Sequence, residues 1–295
     1  MAQSDLLLAL RYEDIDTART EYATPDRSML APADRQISNN IREWLPGAGL
    51  TWQLSDRWQW LAGVHRGMAP PGAGAIDGTD PEISVNYETG FRYGLRDLHV
   101  ELIGFYSDYE NSVRLCSVAF PCANGADSGS EQLGEAIIQG LEAAIEYRPQ
   151  WVGLSWPLQL SYTYTDAEVT ADSADGAVLD GDLYPYIPRD QLYAGVGVEA
   201  PAGWSLNTAA RYVSAMCIDF ECERPGTDNR FRKTDSVFAM DLAAGYQLSS
   251  VTRVYARVDN LFDSDVIVSR SPAGARVNKP RTAILGFTVQ FNTES

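Results

Sequence analysis

The sequence predicts an all-β chain: an antiparallel transmembrane β-barrel segment of about 12 strands, with short turns on one rim and long loops on the other. Three observations predict it. The first is period-2 alternation of apolar and polar residues, sustained over more residues than an ordinary globular strand needs. The second is a composition rich in strand formers and turn residues, with 15 Tyr, 9 Phe, 7 Trp and 24 Gly among 295 residues. The third is the order of the connections, which alternate strictly between short and long.

Alternation is clearest from Ile83 to Leu95. Ile83, Val85, Tyr87, Thr89, Phe91, Tyr93 and Leu95 fall on one face; Ser84, Asn86, Glu88, Gly90, Arg92 and Gly94 fall on the other. It returns at Leu158–Tyr164, at Phe238–Leu248 and at Ala283–Phe291. Extending the same reading gives strands at roughly 5–12, 43–54, 57–66, 82–95, 97–110, 135–148, 156–169, 190–199, 203–213, 235–248, 252–259 and 281–291. Short connections are then Ser55-Asp56, Arg96, Pro149–Ser155, Ala200–Ala202 and Ser249–Val251; long ones are 13–42, 67–81, 111–134, 170–189, 214–234 and 260–280. A soluble β-sandwich also alternates, but it has no reason to sort its loops by length onto two rims. A barrel crossing the outer membrane does. Its apolar face would meet outer-membrane lipid, and its polar, glycine-rich face would line the lumen. Phe91 and Phe287 are expected on the lipid side, Glu88 and Arg92 on the lumen side.

Charge narrows the function. With 23 Lys+Arg against 40 Asp+Glu the net charge is −17, which argues against nucleic acid as a partner. No run approaches the roughly 18 apolar residues of a membrane-spanning helix. The apolar start, Leu6–Leu10, lacks the basic flank and cleavage site of a signal peptide. Only His65 and His99 are present, far apart, so a histidine-based metal centre is not expected. Much of the acidity falls in predicted loops, as at Asp166, Glu168, Asp172, Asp175, Asp180 and Asp182. Carboxylates of that kind suit calcium, but no ligand spacing stands out and a solvated loop is the simpler reading.

Four cysteines form two local pairs on the long-loop rim. Cys116–Cys122 and Cys217–Cys222 are expected as disulfides of an oxidising compartment. A zinc site would need all four to meet, or a histidine that the strand reading places elsewhere. There is no phosphate-binding glycine loop, no G-x-S-x-G and no H-E-x-x-H, and no nucleophile with a base at a recognisable spacing. An enzyme is the weaker class, and no cofactor is expected.

Several segments resemble TonB-dependent outer-membrane receptors, especially their ferric-citrate and siderophore group. Pro81-Glu82-Ile83-Ser84-Val85-Asn86-Tyr87-Glu88-Thr89-Gly90-Phe91-Arg92 resembles that family's PE-x-S-x-NYE-x-G-x-R strand, after a Pro70-Pro71 loop. Gly140-Leu141-Glu142 is similar to its GLE strand. Ile187-Pro188-Arg189-Asp190-Gln191 is similar to its P-x-x-PRHQ approach, with Asp190 in place of histidine. Val258-Asp259-Asn260-Leu261-Phe262-Asp263 resembles V-x-NLFD, and Pro280-Arg281 opens a terminal strand ending at Phe291.

The resemblance covers about residues 40–291 and implies the C-terminal part of a barrel of about 22 strands. In the family such a barrel encloses an N-terminal plug, imports a ferric chelate and is driven by a TonB-type energy-coupling complex. It implies a bacterial outer-membrane location, with residues 1–295 read as barrel and the plug and signal peptide as absent, hence a piece inactive alone. Iron would enter only as part of the transported chelate. Lumen residues facing the plug would be Glu88, Arg92, Glu142 and Glu146. Arg114, Arg224, Arg270 and Arg276, in long loops, are candidates for bidentate pairing with carboxylates of a citrate-type chelate. The competing reading is a complete passive porin or an outer-membrane enzyme.

Overall fold

A computed structural model describes residues 3–20, 36–72, 75, 79–116, 129–173, 176–270 and 274–291. In chain order its strands are β1 (Ser4–Thr20), β2 (Gln36–Gln53), β3 (Trp58–Ala69), β4 (Glu82–Leu95), β5 (Leu98–Cys116), β6 (Gly129–Tyr147), β7 (Gln150–Trp151) and β8 (Leu154–Ser155). There follow β9 (Leu158–Val169), β10 (Asp190–Glu199), β11 (Trp204–Val213), β12 (Val237–Gln247), β13 (Thr252–Asp259), β14 (Ile267–Ser269), β15 (Arg276–Val277) and β16 (Thr282–Val289). The long strands pair antiparallel with their sequence neighbours in the order β1-β2-β3-β4-β5-β6-β9-β10-β11-β12-β13-β16. That is the meander of an up-and-down barrel wall. β1 and β16 stand at its two edges and do not pair with each other.

Register keeps each face chemically uniform across the sheet. One row of cross-strand partners runs Trp60, Phe91, Leu102, Ala143, Tyr162, Leu192, Tyr212 and Phe238. The row one residue away runs Gln59, Arg92, Glu101, Ala144, Ser161, Tyr193, Arg211 and Ala239 on the opposite face. Phe91 and Phe287 therefore share the apolar face, and Arg92 and Glu88 the polar one. The apolar face carries Leu6, Leu8 and Leu10, all well exposed, a surface that makes sense only against hydrocarbon.

Aromatic pairs rim that face at two heights. Trp58–Tyr93 and Trp151–Trp156 lie by the short turns, with ring centroids 4.9 and 5.9 Å apart. Tyr12–Trp44, Tyr87–Tyr106 and Phe238–Phe262 lie toward the long loops, at 4.7, 6.2 and 6.3 Å. On β2, Trp44 and Trp52 are separated by about 27 Å along the strand, or about 20 Å once tilted, close to the apolar band of an outer-membrane barrel. The polar face needs its glycines for packing. Tyr255 lies across Gly286, where a Cβ would come within 2.4 Å of its ring, and Phe105 lies across Gly140 at 2.6 Å.

The short turns are built from local chemistry. Ser55 Oγ accepts the Trp58 N–H at 3.2 Å and Ser249 Oγ the Thr252 N–H at 3.1 Å, the same side-chain turn used twice. The 149–155 connection contains the small hairpin β7–β8, whose central Val152 and Gly153 have φ 52° and 72°, a type I′ turn.

The strand reading needs correction at the long-loop rim. β1 runs on to Thr20, β2 starts at Gln36, β5 reaches Cys116 and β6 begins at Gly129, so the loops at 13–42 and 111–134 are shorter than expected. Beyond the membrane no lipid demands an apolar face, so the period-2 signal fades. The antiparallel ladder continues regardless, as in Asp14↔Arg42 and Asp16↔Asn40. The 260–280 loop likewise holds a second small hairpin, β14–β15.

A sheet with lipid on one side and a lumen on the other has little interior. The one cluster of buried apolar residues among those described, Val169 and Val178 with Tyr184 and Phe220 against them, lies in the loops of the outer rim. Packing therefore points to that rim as the structured candidate site.

Candidate ligand-facing rim and lumen face

Three long loops, 170–189, 214–234 and 260–280, interlock. Arg224 Nε donates to Asp182 Oδ1 at 2.9 Å, its Nη2 donates to Ala177 O at 2.8 Å, and the same nitrogen pairs with Asp182 Oδ2. Asp182 is 6% exposed and also accepts the Leu179 N–H at 2.7 Å. The Asp182 bond raises the Arg224 guanidinium above its ordinary value. Beside this clamp the Tyr184 and Phe220 rings meet edge to face at 5.5 Å, and the Tyr186 N–H donates to Cys217 O at 2.8 Å. The third loop joins through Asp235, whose N–H donates to Ile267 O and whose carboxylate accepts the Ile267 N–H, each at 2.8 Å. It joins again through Arg270, whose Nε donates to Lys233 O at 2.9 Å and whose backbone N–H reaches Tyr186 Oη at 3.4 Å.

Cys217–Cys222 is a disulfide, with Cα atoms 5.6 Å apart. It cinches the 214–234 loop where Cys217 bridges to Lys233. Closing so short a loop contributes about 2 kcal/mol of local stability. Peptide mapping without reductant is expected to recover Cys217 and Cys222 linked to each other; two free thiols there would contradict it. The expected Cys116–Cys122 bond lies outside the described residues. Cys217, Cys222 and Glu223 are the one close trio of metal-ligand types among the described residues, and both sulfurs are committed to the disulfide.

The loop acids act as ties. Asp166 and Glu168, expected in a loop, lie instead on the outer end of β9; Asp166 meets Arg189 at 3.4 Å and Asp172 accepts the Asp180 N–H at 2.8 Å, and Asp175 lies outside the described residues. Arg230 at 2.6 Å holds the Asp228 carboxyl below the usual carboxylate range. Of the four candidate arginines, Arg224 is committed to Asp182, and Arg270 is half-buried at the loop junction. Arg276 is exposed on β15, and the Arg114 side chain lies outside the described residues.

On the lumen face Arg92 pairs with Glu101, its cross-strand neighbour. Glu88 sits opposite Gly63 and Phe105, Glu142 opposite Ile103 and Thr163, and Glu146 opposite His99 and Gln159. All three are exposed and without an ion pair among the described residues. Their spacing leaves a patch of negative charge over β4–β6, while Arg211 and Asp241 pair at 3.0 Å farther round the wall.

Sequence reasoning missed one hub. Asn260, 4% exposed with φ 51°, spends its whole amide on the last long loop. Its Nδ2 donates to Ser264 O at 2.9 Å and Lys279 O at 3.0 Å, and its Oδ1 accepts Ser264 N–H and Oγ–H at 3.1 and 3.0 Å. The Asn260 N–H in turn donates to Asp241 Oδ1 at 2.9 Å. The motif around it was the available signal, and its role is structural.

These features, a wall of paired strands with one apolar face, one charged face and interlocked outer loops, are those of an outer-membrane β-barrel wall. The family model described as TonB dependent receptor-like, beta-barrel, matches residues 3–261, and the chain belongs to that family. Its members are transport receptors of the outer membrane. Pesticin receptors of Yersinia enterocolitica and Yersinia pestis are 25% identical over 291 residues, covering 94% of this chain and 40% of theirs. The chain thus spans about two fifths of the length of the curated relatives it matches. Among solved structures, the ferric yersiniabactin uptake receptor FyuA from Yersinia pestis superposes with a TM-score of 0.74 at 20% identity, covering 98% of this chain and 43% of that one. The siderophore receptor PiuA from Acinetobacter baumannii gives 0.75 at 18%, covering 96% and 40%. The copper transporter OprC gives 0.74 at 17%, covering 98% and 46%.

Proposed function

We propose that this chain is the barrel part of a receptor for energy-coupled uptake of a ferric chelate, and that it is neither an enzyme nor a complete transporter by itself. Membership of the receptor family carries the reading. Iron-chelate receptors recur among the similar structures, though the copper transporter among them warns that the fold alone does not choose the cargo. The chelate would meet the outer loops. The exposed carboxylates Glu88, Glu142 and Glu146, with the Arg92–Glu101 pair, would seat basic groups of a plug through which a TonB-type complex releases cargo.

The sheet supports the second half of the proposal. β1 and β16 each have a neighbour on one side only, and in lipid every unpaired backbone group costs several kcal/mol. These edges call for further strands before a sealed pore exists. Reconstituted in liposomes, the 295-residue chain is expected to give no saturable, energy-dependent uptake of radioiron from a ferric chelate. Energy-dependent accumulation by the chain alone would overturn the reading, and a steady unselective leak of small solutes would favour a passive barrel instead.

A further inference from the structure

One turn of the short-loop rim differs in kind from its neighbours. Ser55-Asp56, Arg96-Asp97 and Ser249-Ser250 are polar at their tips, and 200–203 is built of alanine, proline and glycine. The β7–β8 hairpin instead carries Trp151 and Val152 at its tip, 67% and 77% exposed. It also outruns the adjacent Arg96-Asp97 turn. Tyr147 is level with Leu98 at that turn, and the chain continues from Tyr147 to Val152, about 17 Å further along the strand.

Register fixes the direction of the tip. Ser155 pairs with Glu199, which shares the polar face of Tyr193, and Gln150 pairs with Ser155. The next pair, Trp151 and Leu154, therefore points to the lipid side. One residue beyond the Glu199↔Ser205 pair, Trp204 faces Tyr246, so Trp151 and Leu154 extend an apolar row that already runs along the wall. The Trp151 ring lies 5.9 Å from that of Trp156, whose Nε1 donates to Trp151 O at 3.3 Å.

Backbone strain makes the choice of side chain informative. Val152 has φ 52°, and of the six non-glycine residues with positive φ among those described it alone is β-branched. A β-branched side chain is the poorest fit to left-handed backbone, and a type I′ turn favours asparagine or aspartate at this position. Valine there, pointing away from the fold, is a local cost that an outside contact accounts for. We propose that the β7–β8 hairpin is an interfacial anchor, with Trp151 and Val152 entering the boundary between headgroups and acyl chains of the periplasmic phospholipid leaflet. Continuity with the Trp204–Tyr246 row selects lipid as the occupant. The proposal does not depend on which cargo the receptor carries.

Two measurements on the 295-residue chain in phospholipid bilayers test it. A nitroxide at Val152 is expected to favour oxygen over a water-soluble nickel chelate several-fold more than a nitroxide at Ser250, the tip of a polar turn; the unsubstituted chain, carried through the same labelling, is the blank. Because a nitroxide is itself apolar, the native side chains are read as well. Lipids brominated just below the headgroup are expected to quench the wild type more than Trp151→Phe. Val152→Asn suits the turn better and so keeps the fold, yet it is expected to shrink that difference. A Val152 label as open to the nickel chelate as the Ser250 label overturns the proposal, and so does quenching indifferent to both substitutions. A Val152 label shielded from both reagents shows a tip covered by protein, from a second copy or another partner, and overturns it too.

Discussion

Asn260→Ala is expected to destabilise the outer end of the sheet by about 2–4 kcal/mol. Two costs combine. Alanine at φ 51° meets the left-handed penalty of about 1 kcal/mol or more that asparagine and glycine largely escape. Removing the amide also takes the partner of the Lys279 carbonyl and of the Ser264 N–H, while Ser264 O keeps Asn278 Nδ2 and Ser264 Oγ keeps Phe238 O, at about 1–3 kcal/mol in all because these groups are only partly buried. Three substitutions separate the terms. Asn260→Gly keeps the backbone and loses the bonds; Asn260→Asp keeps the backbone and the acceptor but loses both donors. Denaturant midpoints of the membrane-embedded protein should fall in the order wild type, Asp, Gly, Ala. Equal midpoints for all four would show that the hub carries no stability.

Leu160→Arg is expected to cost about 2–4 kcal/mol, because the charge would enter the middle of the lipid-facing band. Leu160 lies in register with Ile145 and Ala194, between the aromatic rows. Gln159→Arg, one residue away, enters the opposite face beside Glu146 and Gly195 and is expected to change stability by about 0.5 kcal/mol or less. The contrast between adjacent positions is the content of the prediction. Folding yield into lipid vesicles measures it, and equal losses at both positions would contradict the assignment of faces.

What was legible in the sequence is what lipid demands. The apolar rows through Phe91, Tyr162 and Phe238 repeat every second residue because hydrocarbon tolerates nothing else there, and the loops sort by length because only one rim faces the periplasm. Where lipid no longer writes the pattern, the reading weakened. β1 continues eight residues past the expected end at Tyr12, to Thr20, through a polar ladder with no hydrophobic period. The candidate rim was harder still. Arg224 and Asp182 are 42 residues apart in sequence, so nothing local marks Arg224 as a tie between loops instead of a free cation. Arg276 and Arg270 could be told apart from it only once the partners of every loop charge were known. The V-x-NLFD resemblance located Asn260, but its partners at Asp241, Ser264 and Lys279 arrive by folding.

The account stands on the division of one sheet into a lipid face and a lumen face, and a nitroxide scan along β4 from Glu82 to Leu95 tests it most directly. In lipid bilayers, labels at Val85, Tyr87, Thr89, Phe91 and Tyr93 should be accessible to oxygen, and labels at Asn86, Glu88, Gly90 and Arg92 to a water-soluble nickel chelate, alternating at every residue. Labels at Glu88 and Arg92 that report the oxygen-rich hydrocarbon, or a scan with no period of two, would contradict it.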